Sequence, residues 1–417
     1  LFVLLMVFGF NNSIFAKKKV EKQKELAINW VDKNQNLLIE ISDKIWEYAE
    51  TALKEYKSSQ LLIETLERAG FKVEKGVAGM PTAFVATYGE EKPIIGILAE
   101  YDALPGLSQK VLTKKEPLVP GAPGHGCGHN LFGTASLGAA LAIKYVMEKH
   151  KIPGTIKLFG CPAEETVVGK TFMAREGVFD DLSAAIVWHP STSTRVNTGS
   201  SLAMNNFKVL FYGHTAHGAS DPWNGRSALD AVELMDIGVN FLREHIHPTA
   251  RIHYVILNGG RAPNVVPDFA EVWYYVRDIN RKNVDEIYKK VLNIAKGASL
   301  MTNTKYKVEF ITAVHSLLPN ITGSEVMQKN LEKIGAPKFT QEEIDFAKEI
   351  QKSCGKEEKG LKQKVEPFKI ITDQRGGSTD VAEVSRITPT VQLNVACAPV
   401  GIPWHSWAVV ASSGHSI

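Results

Sequence analysis

Residues 155–189 read TIKLFGCPAEETVVGKTFMAREGVFDDLSAAIVWH, and their pattern indicates the fold class. An apolar strand at 155–160 is followed by a helix that begins at Gly169, and a second apolar strand follows at 184–187. Strands that are apolar on both faces are typical of sheets that helices cover on both sides. The stretch therefore predicts a strand–helix–strand unit in a largely parallel or mixed sheet.

The sequence on either side continues this alternation of strands and helices. Residues 94–98, IIGIL, predict another buried strand, and residues 131–149 predict a helix. Apolar residues at helical spacing predict one long amphipathic helix from about residue 25 to residue 50. Further elements are expected as a helix at 58–69 and strands at 71–73, 83–87 and 390–396. We therefore expect an α/β fold whose main domain is an α/β/α sandwich.

The middle of the chain has a different order of elements, namely strand, helix, strand, strand, helix and strand. We expect these six elements at 206–212, 227–244, 252–257, 271–277, 284–300 and 307–312. This order is the ferredoxin-like arrangement. The sequence thus predicts two domains, a main domain formed by 17–202 and 316–417 and an inserted ferredoxin-like domain formed by 203–315.

The charge balance of the chain narrows the class of partner. Lys and Arg total 48 against 45 Asp and Glu, which gives no reason to expect nucleic acid as a partner. Small neutral or anionic molecules remain open as ligands. The chain has four cysteines, which is too few for a disulfide-built scaffold but leaves open whether Cys161, Cys354 and Cys397 form disulfides.

The beginning of the sequence predicts export. Residues 1–16, LFVLLMVFGFNNSIFA, form an apolar run that ends in Ala16 and is followed by three lysines. Such a run is typical of a signal peptide, and it is short for a bilayer span. An uncleaved anchor or an unusual first helix are the alternatives. We expect a periplasmic or secreted protein that has no membrane contact after cleavage.

Cys127 and His129 are the first candidate functional residues. They lie in the glycine-rich segment GHGCGHN, residues 124–130, and one glycine separates them. A thiolate and an imidazole this close can converge on one borderline-soft metal ion. An ordinary glycine-rich turn, or a Cys–His nucleophile pair, would give the same pattern.

Glu164 and Glu165 end the segment CPAEE, residues 161–165, which directly follows the strand at 155–160. Adjacent side chains at a strand end point in different directions, so one carboxylate can bind a metal while its neighbour carries a proton. A solvated turn is the alternative. The buried strand before the pair and the helix after it favour the functional interpretation.

Three further polar side chains follow predicted strands. His189 follows the strand at 184–187, His405 comes after the late strand, and Asp102 follows the strand at 94–98. Each could be a packing histidine or a turn-forming aspartate. Ligands at the ends of neighbouring strands would meet in one cleft, however, and a carboxylate such as Asp102 commonly orients a ligand histidine.

Six segments of the chain together resemble one known family. They read EYDALPGLSQK, GHGCGHNLFGTA, CPAEE, GHTAHGAS, NGGRAPNVVPD and GGSTDVAEVS. In this order they resemble the metal-dependent aminoacylase and glutamate-carboxypeptidase superfamily of amidohydrolases, and within it the aminobenzoyl-glutamate utilisation protein B group. The resemblance covers the chain from about residue 25 onward.

The resemblance implies two divalent metal ions, Zn²⁺ or Mn²⁺, and a small amide substrate of the N-acyl amino acid, aminobenzoyl-glutamate-like or dipeptide-like class. The metal ligands that it implies are Cys127, His129, Glu165, His189 and His405. Glu164 matches the general base of the family, and Asp102 matches the supporting aspartate.

The resemblance also assigns roles to the inserted domain, which is a lid and a homodimerisation domain in the family. His217 matches a histidine that helps to hold the oxyanion, Asn264 matches a substrate contact, and Arg277 matches a residue that holds a substrate carboxylate. The chain departs from many relatives by Asn130, where they have Asp. Relatives also continue past residue 417, so we expect the sequence to be truncated at its C-terminal end.

Two other functions remain as alternatives. Cys127 could attack the substrate itself with His129 as base, in which case the enzyme would be a thiol hydrolase. The chain could instead be a non-catalytic, metal-binding or dimer-forming relative.

Overall fold

The computed structural model describes residues 14–372 and 376–414, and the side chains of all of these except 14–18 and 413. Most of the predicted signal peptide, residues 1–13, lies outside the described residues. The chain divides into two compact units. The first comprises Leu1–Gly199, Leu318–Thr372 and Glu383–Ile417, and the second comprises Ser200–Leu317 and Asp373–Ala382.

The helices and strands follow the alternation that the sequence predicts. The helices are α1 (Ile14–Lys33), α2 (Gln35–Tyr48), α3 (Tyr56–Arg68), α4 (His129–His150), α5 (Gly169–Arg175), α6 (Ala228–Leu242), α7 (Arg281–Thr302), α8 (Ile321–Ile334), α9 (Gln341–Ser353), α10 (Val381–Ile387) and α11 (Trp407–Ser413). The strands are β1 (Lys72–Lys75), β2 (Phe84–Tyr88), β3 (Ile94–Glu100), β4 (Thr155–Cys161), β5 (Ala184–Ser191), β6 (Arg195–Asn197), β7 (Ala203–Tyr212), β8 (Arg251–Asn258), β9 (Phe269–Asp278), β10 (Lys305–Val314) and β11 (Thr390–Ala396).

The first unit is built on a seven-stranded mixed sheet with the order β1-β2-β4-β3-β5-β11-β6. The four central strands, β4, β3, β5 and β11, run parallel, and the outer strands pair antiparallel. Helix α4 is buried along most of its length and packs against β3, β4 and β5. The predicted α/β class with a largely parallel or mixed sheet is confirmed.

The second unit has the predicted ferredoxin-like order of elements, β7-α6-β8-β9-α7-β10. Its four strands form an antiparallel sheet with the order β10-β7-β9-β8. Every second residue of β9 is buried, because one face of the sheet packs against α6 and α7. The core of this unit is a cluster of apolar side chains from both layers.

One predicted element is wrong. The long helix expected from residue 25 to residue 50 is two helices, α1 and α2, which are separated at Asn34. The side-chain amide of Asn34 donates a hydrogen bond to the carbonyl of Trp30 at 2.7 Å. Asn side chains compete with the backbone for such carbonyls, which is why they favour helix ends. Hydrophobic spacing alone did not reveal the break.

Two further findings concern the chain as a whole. Among the described residues, none of the helices combines the length and the apolar character that a bilayer span requires. The four cysteines form no disulfide bond with one another.

Candidate metal centre

The predicted site residues of the first unit lie at one edge of its sheet. Because β3, β4, β5 and β11 are parallel, their carboxyl ends meet at this edge. Asp102 follows β3, Glu164–Glu165 follow β4, His189 lies near the end of β5, and His405 follows β11. The residues that we expected to converge are therefore delivered by neighbouring strands.

Cys127 and His129 reach the same edge through a tight loop before α4. Gly128 has a φ of 75°, which favours glycine, and His129 is the first residue of the helix. The backbone N–H of His405 donates a hydrogen bond to the carbonyl of Gly126 at 3.1 Å. A Cβ atom at Gly126 would lie 3.4 Å from the Cα of His405 and 2.5 Å from a side-chain carbon of Leu107. The glycines of GHGCGHN thus let the two ligand-bearing loops approach each other.

Two groups of potential ligand atoms share Cys127. In the first group, Cys127, His129 and His189 have ligand atoms within 4.8 Å of one another. In the second group, the same holds for Cys127, Glu165 and His405. If each group held one cation, Cys127 would be the ligand that both cations share.

The separations between these atoms fit a metal ion. Cys127 Sγ lies 3.5 Å from His189 Nε2, and His405 Nε2 lies 3.4 Å from Glu165 Oε2. Around a tetrahedral Zn²⁺, bonds of about 2.3 Å to sulfur and about 2.0 Å to nitrogen or oxygen imply ligand separations of roughly 3.3–3.6 Å. Within the described residues, the buried Oε1 of Glu165 has no hydrogen-bond partner. The buried Nε2 of His129 makes no hydrogen bond either, although a carboxylate oxygen of Glu100 lies 3.3 Å from it. Buried polar atoms normally have one, so a cation is a suitable partner for them.

Asp102 fixes the orientation of His129. Its Oδ1 lies 2.9 Å from His129 Nδ1, and its Oδ2 accepts a hydrogen bond from the backbone N–H of Glu165 at 3.0 Å. Burial would raise the pKa of Asp102, but the hydrogen bond from His129 holds that pKa below its usual value. With Nδ1 engaged, His129 presents Nε2 to the metal site. Asp102 therefore occupies the supporting position that the sequence predicts.

His189 is held in a similar way. Its Nδ1 lies 2.6 Å from the carbonyl oxygen of Pro190, so Nδ1 carries the proton and Nε2 has a free electron pair. Burial lowers the pKa of His189 to about 4. A neutral imidazole is the form that binds metal ions.

Glu164 has the properties of a proton carrier. It is buried, and its pKa is raised to about 7 by burial and by the negative charge of Glu100. A carboxylate with a pKa near neutrality can both accept and return a proton at physiological pH. Burial also raises the pKa of Glu165, well above its usual range.

Glu100 and Lys170 are site residues that the sequence analysis missed. Both are buried, and Lys170 Nζ lies 2.8 Å from Glu100 Oε1. The other carboxylate oxygen of Glu100 lies 3.3 Å from His129 Nε2, and Glu164 completes this third group of acidic and imidazole side chains. The alternation along β3 was the available signal, because it places Glu100 on the same face as Leu98 and Asp102.

Three predicted site residues lie in the second unit. His217 is in the loop after β7, and its Nδ1 accepts hydrogen bonds at 3.1 Å from the backbone N–H groups of Ala219 and Ser220. The proton of the neutral ring is therefore on Nε2, which is free to donate. The N–H of Gly218 donates to the carbonyl of Asn264 at 2.8 Å, so the structure brings His217 and Asn264 together.

Arg277 is not brought together with these two residues within the unit. It lies near the end of β9, where it pairs in register with Met204, whereas the loop with Asn264 precedes Phe269 at the start of the strand. Arg277 follows Phe269 by eight residues along the strand, so the two residues lie roughly 26 Å apart. The guanidinium of Arg277 stacks on the ring of Tyr275.

Comparison with known proteins identifies the family. Residues 203–300 match the family model of the peptidase dimerisation domain. The chain is 41% identical over 414 residues to a subunit of the p-aminobenzoyl-glutamate hydrolase of Escherichia coli (strain K12), covering 93% of this chain and 86% of that protein. The chain belongs to the M20 peptidase family. The resemblance of the six sequence segments to this family is confirmed.

Other M20 proteins are similar over most of the chain. The Xaa-Arg dipeptidase of Mus musculus is 30% identical over 331 residues, covering 76% of this chain and 73% of that protein. The aminobenzoyl-glutamate utilization protein of Klebsiella pneumoniae has the same fold, with a TM-score of 0.63, 18% identity and coverage of 93% of this chain and 95% of that chain. The Bacillus subtilis YXEP protein, a dinuclear metal binding peptidase from the M20 family, has a TM-score of 0.55, 20% identity and coverage of 92% and 96%. The chain is thus a hydrolase of amide bonds, in a family that uses metal ions.

Proposed function

We propose that this M20 protein hydrolyses the amide bond of aminobenzoyl-glutamate, another N-acyl amino acid or a dipeptide-like substrate at a two-metal centre. The cations are held by Cys127, His129, Glu165, His189 and His405. The observation that carries the proposal is that Cys127 belongs to both ligand groups. The substrate class is supported by the named activity of the relative that is 41% identical.

Glu164 is the proposed general base and acid. A bound cation pair would supply a water of lowered pKa and an electrophile for the substrate carbonyl oxygen. Glu164 would accept a proton from the water that attacks the amide carbon and would then deliver this proton to the leaving nitrogen. The pKa of about 7 suits both steps.

The donor set bears on the identity of the metal. One thiolate, three imidazoles and one carboxylate form a borderline-soft set, which suits Zn²⁺. Mn²⁺ prefers oxygen donors and is the second candidate. Elemental analysis of the purified protein distinguishes the two.

We further propose that the inserted unit supplies the substrate contacts that the resemblance implies. His217 stabilises the oxyanion through Nε2–H, which is the tautomer that its backbone contacts support. Asn264 contacts the substrate, and Arg277 holds a substrate carboxylate. Since Arg277 lies far from the other two within the unit, substitution of Arg277 should raise KM for anionic substrates more than it lowers kcat.

We also propose a homodimer that forms through the second unit. Strand β8 is an edge strand and exposes Val255, Ile256 and Leu257, and the neighbouring α6 exposes Phe241 to 72%. An exposed apolar edge of this kind is a typical site for strand pairing between subunits. Light scattering should show a dimer that Ile256→Lys weakens, whereas Phe310→Lys on the opposite edge strand should leave it intact. A monomeric wild-type protein would contradict the proposal.

The proposed location follows from the predicted signal peptide at 1–16. After cleavage of the signal peptide the mature protein would have no membrane contact. It would act on small molecules and have no nucleic-acid partner. N-terminal sequencing of the protein from the periplasmic or extracellular fraction should begin at Lys17. Recovery of the protein in the cytosolic fraction would contradict export.

The test of the function is Glu164→Gln, assayed on a panel that includes aminobenzoyl-glutamate, N-acyl amino acids and dipeptides. Turnover should fall on the order of 10²-fold or more, because the amide cannot carry the proton. Metal content should remain unchanged, and the exposed control Glu176→Gln should retain full activity. Loss of metal together with activity in Glu164→Gln would contradict the assignment of this residue as the base.

Chelation distinguishes the proposed function from a thiol hydrolase. Burial raises the pKa of Cys127 far above its usual value, which is the opposite of an activated nucleophile. Dialysis against a chelator should therefore abolish hydrolysis, and added Zn²⁺ or Mn²⁺ should restore it. Full activity in metal-free protein would favour attack by the thiol.

A further inference from the structure

Glu55 is a buried carboxylate that no step of the proposed chemistry uses. It is 0% exposed and lies next to the first turn of α3. Its Oε1 accepts hydrogen bonds from the backbone N–H groups of Leu53 at 3.0 Å and Ala163 at 2.9 Å. Its Oε2 accepts a hydrogen bond from the hydroxyl of Thr82 at 2.9 Å. The carboxylate thus connects the start of α3 to the turn that carries Glu164.

Glu55 is not needed to cap α3. The carboxylate of Glu50 accepts hydrogen bonds from the N–H groups of Lys57 and Ser58, at 2.9–3.0 Å. The side chain of Glu55 makes no capping bond within the helix. Its contact with Ala163, which is 108 residues away in sequence, therefore requires another explanation.

The contact is made to a strained turn. Ala163 has a φ of 56° and Val167 has a φ of 52°, in the left-handed region that is strained for a non-glycine residue. Glu164 and Glu165 lie between these two residues. Such a conformation persists only when surrounding contacts fix it.

Two buried carboxylates from other segments hold this turn. Glu55 accepts the N–H of Ala163, and Asp102 accepts the N–H of Glu165. The backbone N–H groups of the two residues that flank Glu164 are thus held from outside the turn. We infer that Glu55 is a positioning residue, which holds the Ala163 turn in its left-handed conformation and thereby aims the carboxylate of Glu164 at the metal site. This inference rests on the proposed function of Glu164.

Three variants test the inference in the metal-loaded protein, and a fourth serves as their control. Glu55→Ala should lower kcat at least tenfold, with KM changed less than about threefold and metal content unchanged, because a small displacement of a catalytic group slows the reaction strongly. Glu55→Gln keeps an acceptor oxygen for Ala163 and should retain activity within about threefold. Adding Ala163→Gly to Glu55→Ala should recover most of kcat, because glycine adopts the left-handed conformation without strain.

Ala49→Gly is the matched control for that rescue. Ala49 also has a positive φ, 42°, but it ends α2 and does not belong to the Glu164 turn. Combined with Glu55→Ala, it can stabilise the fold generally and should not recover kcat. Equal recovery by Ala49→Gly and Ala163→Gly would overturn the inference, since it would show that Glu55 contributes only general stability.

Hydrogen exchange provides a readout that does not depend on activity. Glu55→Ala should speed exchange of the amides of residues 163–167 at least tenfold, and Glu55→Gln should not. Unchanged exchange in Glu55→Ala would overturn the inference even if the proposed substrates were wrong. Inactivity of the wild-type protein on the whole panel would instead contradict the proposed function.

Discussion

The two units bury their polar groups very differently. The first unit collects Glu100, Asp102, His129, Glu164 and Lys170 in one buried cluster at the carboxyl edge of its parallel strands. The second unit has a regular alternation of buried and exposed residues along β9 and an apolar core between its sheet and its helices. Buried charges are costly unless they are paired or bind metal ions. The first unit thus keeps groups that do not favour folding, which indicates chemistry, whereas the apolar core of the second unit serves its packing.

Substitution of Cys127 should have the largest effect. It tests whether the polar side chains of the first unit hold metal ions. Cys127→Ala removes the side chain common to both ligand groups. Activity should fall to background, and the metal content should fall from about two ions per chain to less than one. His405→Ala should lose about one ion, and Cys397→Ala, at a half-buried thiol outside both groups, should keep both. Retention of two ions by Cys127→Ala would contradict the bridging assignment.

Substitution of Lys170 tests how much stability the first unit loses when a buried charge loses an ionic partner. Lys170→Met leaves Glu100 buried without its ionic partner, so the free energy of unfolding should fall by about 3–5 kcal/mol. The double variant Lys170→Met/Glu100→Gln should recover part of this loss, because both charges are then absent. Lys44→Met, at an exposed ion pair, should leave the urea midpoint unchanged. Equal midpoints for Lys170→Met and the wild-type protein would show that the buried pair carries no such penalty.

Asp102→Asn tests how the supporting carboxylate acts. The asparagine can accept the hydrogen bond from His129 or that from Glu165 N–H, but its NH₂ group cannot replace the second acceptor oxygen. Metal affinity or kcat/KM should fall about 10–100-fold. Competition with a chelator measures the affinity, and Asp181→Asn on the protein surface serves as the control. An unchanged affinity and an unchanged kcat/KM would remove Asp102 from the supporting role.

The smallest expected effect concerns the second unit and pH. Burial raises the pKa of Asp236 to about 6, although a hydrogen bond from Tyr274 opposes the rise. The folded state therefore binds this proton more tightly than the unfolded chain, for which the pKa is about 3.9. The resulting stability is present below about pH 4 and is lost as the pH rises through about 6. Melting temperatures should fall less between pH 4 and pH 7 in Asp236→Asn than in the wild-type protein, and equal falls would refute the assignment.

The regular parts of both units were predictable from local pattern. Strand β11 has the predicted bounds, and the ferredoxin-like order of the second unit follows from the alternation of apolar residues. The break at Asn34 was not predicted, because a side-chain contact with Trp30 causes it and apolar spacing does not. Local patterns therefore determine elements, and individual polar contacts determine where some of them end.

The site was predictable where polar residues follow predicted strands, as Glu164 and His189 do. Glu100 was missed because a carboxylate at the last position of a strand has the same pattern when it is exposed. Lys170 and Glu55 were missed because their partners are distant in sequence. The roles of Lys170 and Glu55 depend on contacts that form only on folding, and no local pattern records such contacts.

X-ray absorption at the zinc edge of the Zn²⁺-loaded protein tests the central claim most directly. A sulfur ligand shared by two ions should give one sulfur scatterer per zinc at about 2.3 Å, nitrogen and oxygen scatterers at about 2.0–2.1 Å, and a second zinc at about 3.5–4 Å. The Cys127→Ala protein should lack the sulfur shell. A wild-type spectrum with nitrogen and oxygen scatterers alone, and without a neighbouring metal, would contradict the two-metal centre built around Cys127.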